Sequence, residues 1–164
     1  MIQSFEFMKL RSLKKTAVLV IAQGAYAGKF PFAPGTAGTA VGVLLYLLLR
    51  GLPLAWYLVA CVFVTGLGVW AAGEAEKLLG KKDAPSIVID EIAGYLISMI
   101  MAPSGWGYVI AAFFLFRIFD IVKPFPLHRI QDLHGGLGVM LDDVGAGVYT
   151  TLVLHAVWIF IGRR

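Results

Sequence analysis

The residues best equipped for chemistry are five carboxylates, Asp90, Glu91, Asp120, Asp142 and Asp143, which stand at the edges of long apolar runs. The densest stretch is Phe116-Arg117-Ile118-Phe119-Asp120-Ile121-Val122-Lys123-Pro124-Phe125-Pro126. On a helix, Arg117 and Asp120 share one face and Lys123 follows a turn later, before the two prolines stop the helix. One exposed ion pair there would contribute a few tenths of a kcal/mol at most and need no function. Five carboxylates at three run edges need a common explanation.

Three readings compete. In a purely structural one, Asp90, Asp142 and Asp143 cap helices and offset the positive N-terminal dipole, at up to about 1 kcal/mol each. That leaves Glu91 unexplained, and it puts Asp120 near a helix C-terminus, where negative charge is disfavoured. In the second, the carboxylates bind a divalent cation. Hard oxygen ligands without cysteine suit Mg²⁺, which shares its shell with water and substrate phosphate. Arg117 and Lys123 would then hold phosphate oxygens, and the hydroxyls of Thr36 and Thr39 would stand at a helix N-terminus that attracts phosphate, unless they only cap it. The glycines of the Gly135-Gly136 loop would let backbone approach the phosphate closely. Metal plus phosphate means phosphoryl chemistry, with water acidified and charge on the departing group neutralised. The third reading is a membrane carrier or channel for divalent cations using the same carboxylates. It would favour ionisable groups at mid-depth, whereas only His155 is deep in an apolar run.

These groups need a scaffold, and composition says which kind. The 164 residues suit one domain over 1–164, and a hydrophobic share of 59% is too high for an ordinary soluble protein. The expected class is all-α, a polytopic membrane helix bundle. A net charge of +4 raises nucleic acid as a partner, but the basic residues cluster at the ends and between apolar runs, with no basic stripe among aromatics. The single Cys61 excludes an intramolecular disulfide and a Cys/His metal cluster. The basic residues Lys9, Arg11, Lys14 and Lys15 precede an apolar stretch with no small-residue cleavage site, so the segment reads as retained.

In chain order, residues 1–15 form a basic arm and residues 16–28 a short helix packed on the bundle, too short to cross with certainty. A loop over 30–39 leads into a helix from Thr39 to Leu49, and Leu54–Gly73 is a spanning helix. Glu74–Ser86 is a solvated loop. Residues 87–102 and 106–120 make a short helical hairpin turning at Pro103-Ser104-Gly105, tilted or re-entrant. Leu127–Leu141 is a polar loop with His128, Arg129, Asp132 and His134, and Asp142-Asp143 opens a last helix from Val144 to Ile161. If the polar stretches before residue 30, at 74–91 and at 117–143 share one side, that side holds eleven of the fourteen Lys and Arg residues and all five carboxylates. The positive-inside rule makes it the cytoplasmic face, and the active site belongs there.

Familiar phosphatase signatures are absent. Cys61 has no phosphate loop ending in Arg, no DxD nucleophile follows a strand, and Trp106 stands where a histidine-dependent lipid phosphatase would carry its His. Four other blocks are present: Pro34-Gly35-Thr36-Ala37-Gly38-Thr39, Ile87-Val88-Ile89-Asp90-Glu91-Ile92-Ala93-Gly94, the stretch from Phe116 to Pro126, and the stretch from Gly135 to Gly147. In order and spacing, over about residues 20 to 150, they resemble the signature blocks of the phosphatidylglycerophosphatase A family. The resemblance implies a Mg²⁺-dependent phosphatase of the bacterial inner membrane that converts the phospholipid phosphatidylglycerophosphate to phosphatidylglycerol and inorganic phosphate. It implies that Asp90, Glu91, Asp120, Asp142 and Asp143 form the catalytic and metal-binding set. The expected mechanism has Asp90, Asp120 and Asp142 or Asp143 on the metal, Arg117 and Lys123 on the phosphate, and Glu91 or Asp143 as the base. A covalent aspartyl-phosphate is the variant. His134 is either the acid for the leaving glycerol oxygen or a loop histidine satisfied by water.

Overall fold

The computed structural model describes the backbone of residues 2–130 and 133–162 and the side chains of residues 10–130 and 133–160. Asp132, Arg163 and Arg164 lie outside the described residues. Among those described, the regular elements are helices: α1 (Ile2–Ala22), a single 3-10 turn (Ala27–Lys29), α2 (Pro34–Leu49), α3 (Leu54–Leu79), α4 (Ile89–Ser98), α5 (Trp106–Val122), α6 (Leu127–Ile130) and α7 (Gly136–Gly162).

Several boundaries differ from the expectations, each for a local reason. The basic arm and the helix after it are one helix, α1, which stops where Gly24, Ala25 and Tyr26 turn left-handed at φ 53, 52 and 71°. Helix α2 starts at Pro34 rather than Thr39, because proline presets the helical φ and lacks the N–H a first turn would leave unpaired. Helix α3 runs on through Glu74 and Lys77 to Leu79, and Gly80 ends it in the left-handed conformation at φ 65°. Most consequentially, α7 begins at Gly136, so Asp142 and Asp143 sit inside a helix rather than opening one, and neither is a cap.

The bundle is organised around the ten-residue α4, buried at Ile89, Asp90, Ile92, Ala93, Gly94, Tyr95, Leu96 and Ser98 and packed against α2, α3, α5 and α7. A short helix ending inside a bundle leaves carbonyls without partners. Here side chains supply them: Tyr57 donates to the Leu96 carbonyl at 2.7 Å and Thr151 to that of Ile97 at 2.8 Å.

Glycine sets the depth of packing around α4. A Cβ on Gly94 would lie 2.5 Å from the Phe116 ring and 2.7 Å from the Asp143 carbonyl, and one on Gly147 would lie 2.4 Å from the Gly94 carbonyl. Main chains of α4 and α7 therefore touch, with α5 against them through Phe116. Asp90 is one turn before Gly94, Asp143 one turn before Gly147, and Asp120 one turn after Phe116. Since α4 and α7 run parallel and α5 antiparallel to them, one turn from this level brings all three carboxylates to the same end.

The outside of the bundle is apolar. Leu44, Leu48, Val59, Val62, Phe63, Ile110, Phe114 and Leu152 are all exposed. Helix α3, with 26 residues, and Gly136–Phe160 of α7, with 25, are long and apolar enough to cross a membrane. At 1.5 Å per residue α3 extends about 39 Å, against a hydrocarbon core of about 30 Å.

Candidate active site

At the end of the bundle where α2, α4 and α7 begin and α5 stops, a cleft of about 480 Å³ opens. Its walls bring together Thr36, Asp90, Glu91, Arg117, Asp120, Lys123, Asp142 and Asp143. All five carboxylates singled out from the sequence are thus in one place, with both cations.

The carboxylates divide into two sets by what they touch. Ligand oxygens of Asp90, Glu91 and Asp143 all lie within 4.8 Å of one another, close enough to hold one ion. The other two hold the cations most closely, one of them shared with Glu91: Arg117 Nη1 is 2.6 Å from Asp120 Oδ2 and 3.6 Å from Glu91 Oε1, and Lys123 Nζ pairs with Asp142 Oδ2. Arg117 and Lys123 are therefore held by carboxylates while they face the cleft. Lys123 reaches Asp142 from a left-handed main-chain conformation, φ 45°, where a non-glycine residue costs about 1–2 kcal/mol. The ion pair and the C-cap hydrogen bond from its N–H to the Phe119 carbonyl at 2.8 Å offset that strain.

Burial makes this cluster electrostatically demanding. The Asp90 carboxyl is pushed well above the usual carboxylate range by burial first, then by the charges of Glu91 and Asp143. Glu91 is also raised by burial, with the hydrogen bond to Asp90 and the Arg117 charge opposing in part. For Lys123, burial alone would lower the pKa, but Asp142, Asp143 and Asp120 outweigh it and the net direction is up.

The donor set fits a hard divalent cation. Glu91 Oε2, Asp142 Oδ1 and Asp143 Oδ2 are buried oxygens with no hydrogen-bond partner, and a buried polar atom without one costs about 1–3 kcal/mol or more when charged. All are carboxylate oxygens, the ligand type Mg²⁺ prefers, and the cations beside Glu91 and Asp142 are already engaged on the other oxygen of each.

The remaining expected residues part company. Thr36 is exposed in the cleft wall, in the first turn of α2, where N–H groups lack helical partners. Thr39 is fully buried and donates to the Gly35 carbonyl at 2.9 Å, so its hydroxyl does not face the cleft. Gly135 and Gly136 lie outside the cleft walls as well. A Cβ on Gly136 would stand 1.9 Å from the Val69 carbonyl, so that glycine serves the close approach of α7 to α3. His134 is exposed and also outside the cleft.

Among the cleft residues that had no role in the sequence reading, Asp83 and Gly35 stand out. Asp83, assigned there to a solvated loop, lines the cleft with Pro85. Gly35 matters through what it lacks: its Cβ would lie 2.3 Å from Glu91 Oε1 and 2.9 Å from both terminal nitrogens of Arg117. The signal for Gly35 was its place one residue after Pro34, in the first turn of a helix aimed at an acidic pair.

Comparison with known proteins gives this geometry a context. The model of the family described as Phosphatidylglycerophosphatase A matches residues 20–158. A Bacteroides thetaiotaomicron protein provisionally named a phosphatidylinositol-3-phosphatase is 43% identical over 150 residues, covering 86% of this chain and 94% of that protein. Proteins named Phosphatidylglycerophosphatase A from Escherichia coli and Haemophilus influenzae are 36% and 39% identical, covering 88% of this chain in both cases and 83% and 93% of the relatives. No solved structure matches.

Proposed function

The chain belongs to the phosphatidylglycerophosphatase A family and is a phosphatase, and from that premise we propose that it hydrolyses phosphatidylglycerophosphate at a membrane surface with Mg²⁺ as cofactor. The observation that carries the reading is the convergence of Asp90, Glu91 and Asp143 beside two cations in one cleft, with carboxylate oxygens left unpartnered. The donor set fits Mg²⁺ held by Asp90, Glu91 and Asp143, and when bound the ion supplies positive charge for the phosphate and acidifies water. Arg117 and Lys123, oriented by Asp120 and Asp142, bind and align the phosphomonoester oxygens. The N–H groups of the first turn of α2 and the Thr36 hydroxyl, in the turn that packs beside Arg117, receive the same anion. Asp142 Oδ1, buried and without a hydrogen-bond partner, joins Glu91 and Asp143 as a carboxylate that would accept the proton of the attacking water.

The membrane setting rests on the apolar exterior and the two long apolar helices. The bundle then stands in the inner membrane, with the cleft on the cytoplasmic face that the basic residues mark. A divalent-cation carrier is less well supported, since the carboxylates gather at one end of the bundle rather than along a path through it. A second phosphatase reading comes from the Bacteroides relative, whose name assigns it an inositol lipid phosphate. Both headgroups present a phosphomonoester, which is all the cleft's cations address.

The test is release of inorganic phosphate by purified protein from phosphatidylglycerophosphate and from phosphatidylinositol 3-phosphate, each with Mg²⁺ and with chelator. Mg²⁺-dependent turnover of the first, with the second slower, is expected. Undiminished turnover in chelator would discard the metal, and faster turnover of the inositol lipid would transfer the assignment to it.

A further inference from the structure

A lipid phosphatase must place two acyl chains as well as a phosphate. An apolar groove of about 450 Å³ runs between α2 and α5, lined by Ala40, Val43, Leu44, Trp106, Val109, Ile110, Phe113 and Phe114. By helix register its lining stands on the faces of α2 and α5 that reach the cleft. On α2, Thr36 in the cleft wall is followed at one-turn intervals by Ala40 and Leu44. On α5, Ile121 and Arg117 in the cleft wall are followed, in the other direction, by Phe113 and Phe114, then Ile110, then Trp106. From Arg117 to Trp106 is eleven residues, about 16 Å, close to half of a hydrocarbon core of about 30 Å.

Small residues keep the groove open at the cleft end. Between Thr36 and Val43 the one α2 residue that lines the groove is Ala40, whereas the α5 wall includes exposed Phe114, Ile110 and Trp106. A competing apolar groove of about 510 Å³ lies between α3 and α7, lined by Leu58, Val62, Thr65 and Val148 among others. Its α3 wall does not reach the cleft. Between them the helices are sealed, with the Gly136 backbone against Val69 and the Met140 side chain over Gly68. No residue of α3 lines the cleft.

We infer that the α2–α5 groove is the seat of one acyl chain of the phospholipid substrate, which enters the cleft sideways from the bilayer with its headgroup between Thr36 and Arg117. The inference rests on the lipid phosphatase reading above and extends it: the groove selects substrates with a long apolar tail over phosphomonoesters without one. Ala40 then controls how much of the chain is accommodated.

The experiment compares phosphate release by the full chain, in detergent micelles, from phosphatidylglycerophosphate with two oleoyl chains and from its dihexanoyl counterpart. Ala40→Trp fills the groove and is expected to raise KM for the dioleoyl lipid by about tenfold or more, while the dihexanoyl lipid changes by less than about twofold. Phe114→Ala removes one wall and is expected to act in the same direction, more weakly. Val62→Trp places equal bulk on α3, 74% exposed at that residue and away from the cleft, and should leave both substrates unchanged. Folding is read from thermal melts, and Phe114→Ala carries the test if Ala40→Trp does not fold. Folded groove variants that slow both lipids equally, or neither, would overturn the inference and leave the groove to bulk lipid. Failure of the unaltered protein to release phosphate from either lipid would instead overturn the substrate reading on which it rests.

Discussion

Replacing Gly35 by alanine separates what the cleft needs from what the fold needs. Gly35 has ordinary helical geometry in the first turn of α2, and alanine in a helix is favoured over glycine by about 1 kcal/mol. On propensity alone the substitution would be neutral or stabilising. The added methyl, however, would sit 2.3 Å from Glu91 Oε1, where ordinary contact begins near 3.4 Å, and 2.9 Å from both Arg117 terminal nitrogens. Those atoms are the far ends of flexible side chains, so they can yield without unfolding the protein, but Glu91 Oε1 must retreat by about 1 Å. A misplacement of that size in a positioned reacting group costs about 100-fold in rate, or about 2.7 kcal/mol of transition-state stabilisation. Gly35→Ala should therefore melt within a few degrees of the unaltered protein while kcat/KM for Mg²⁺-dependent phosphate release falls by about two orders of magnitude. A well-folded alanine variant with unchanged kcat/KM would show that the spacing of Glu91 and Arg117 against α2 has no bearing on catalysis.

Asp90→Asn should abolish Mg²⁺-dependent turnover yet raise the melting temperature in chelator, because it removes a buried charge beside Glu91 and Asp143; an unchanged or lower melting temperature would contradict the electrostatic reading. The sign of the pH dependence follows from the same raised pKa values of Asp90 and Glu91: in chelator their contribution to stability is fully present below the ordinary carboxylate range and is lost as pH rises through their folded-state values, so melts should weaken toward neutral pH. Lys123→Met leaves Asp142 buried without its cation and should destabilise by about 3 kcal/mol, with Asp142→Asn in the same chain recovering a large part; a double-mutant cycle on melts without coupling would refute the pairing. Gly147→Ala forces a methyl to within 2.4 Å of the Gly94 carbonyl, a main-chain atom that cannot swing away, so it should destabilise by about 1–3 kcal/mol in denaturant or thermal unfolding.

Which charged residues line the cleft was more legible in the sequence than the architecture that gathers them. Carboxylates and cations at the ends of apolar runs announce themselves, because nothing else accounts for charge in such a setting, and the four blocks placed them within one family. Helix register was harder. Asp142-Asp143 reads as a helix start, since paired acids favour first turns, but Gly135 in the left-handed region, φ 68°, lets α7 start at Gly136 and carry the pair inward. Thr39 was given to phosphate as part of a helix start that the structure puts five residues earlier, at Pro34, and the Gly135-Gly136 pair on residue type. Which way a hydroxyl points, and whether a glycine meets a ligand or a neighbouring helix, depends on contacts with Gly35 and Val69 that no local pattern encodes. Gly35 escaped notice for the converse reason, because its contribution is an absence of atoms.

The contact between Gly94 and Gly147 gives the carboxylate cluster an unusual kind of gauge. Two of the three donors that face one another, Asp90 and Asp143, ride on helices whose spacing is set by main chain meeting main chain. Side chains can swivel to suit a guest, but helices pressed together at their peptide groups cannot close further, and prising them apart would break the packing at the centre of the molecule. The aperture that an ion would meet is thus fixed one turn below the carboxylates that would hold it. A cation about 0.4 Å longer in its oxygen bonds, as Ca²⁺ is beside Mg²⁺, would have to be admitted by bending carboxylates alone.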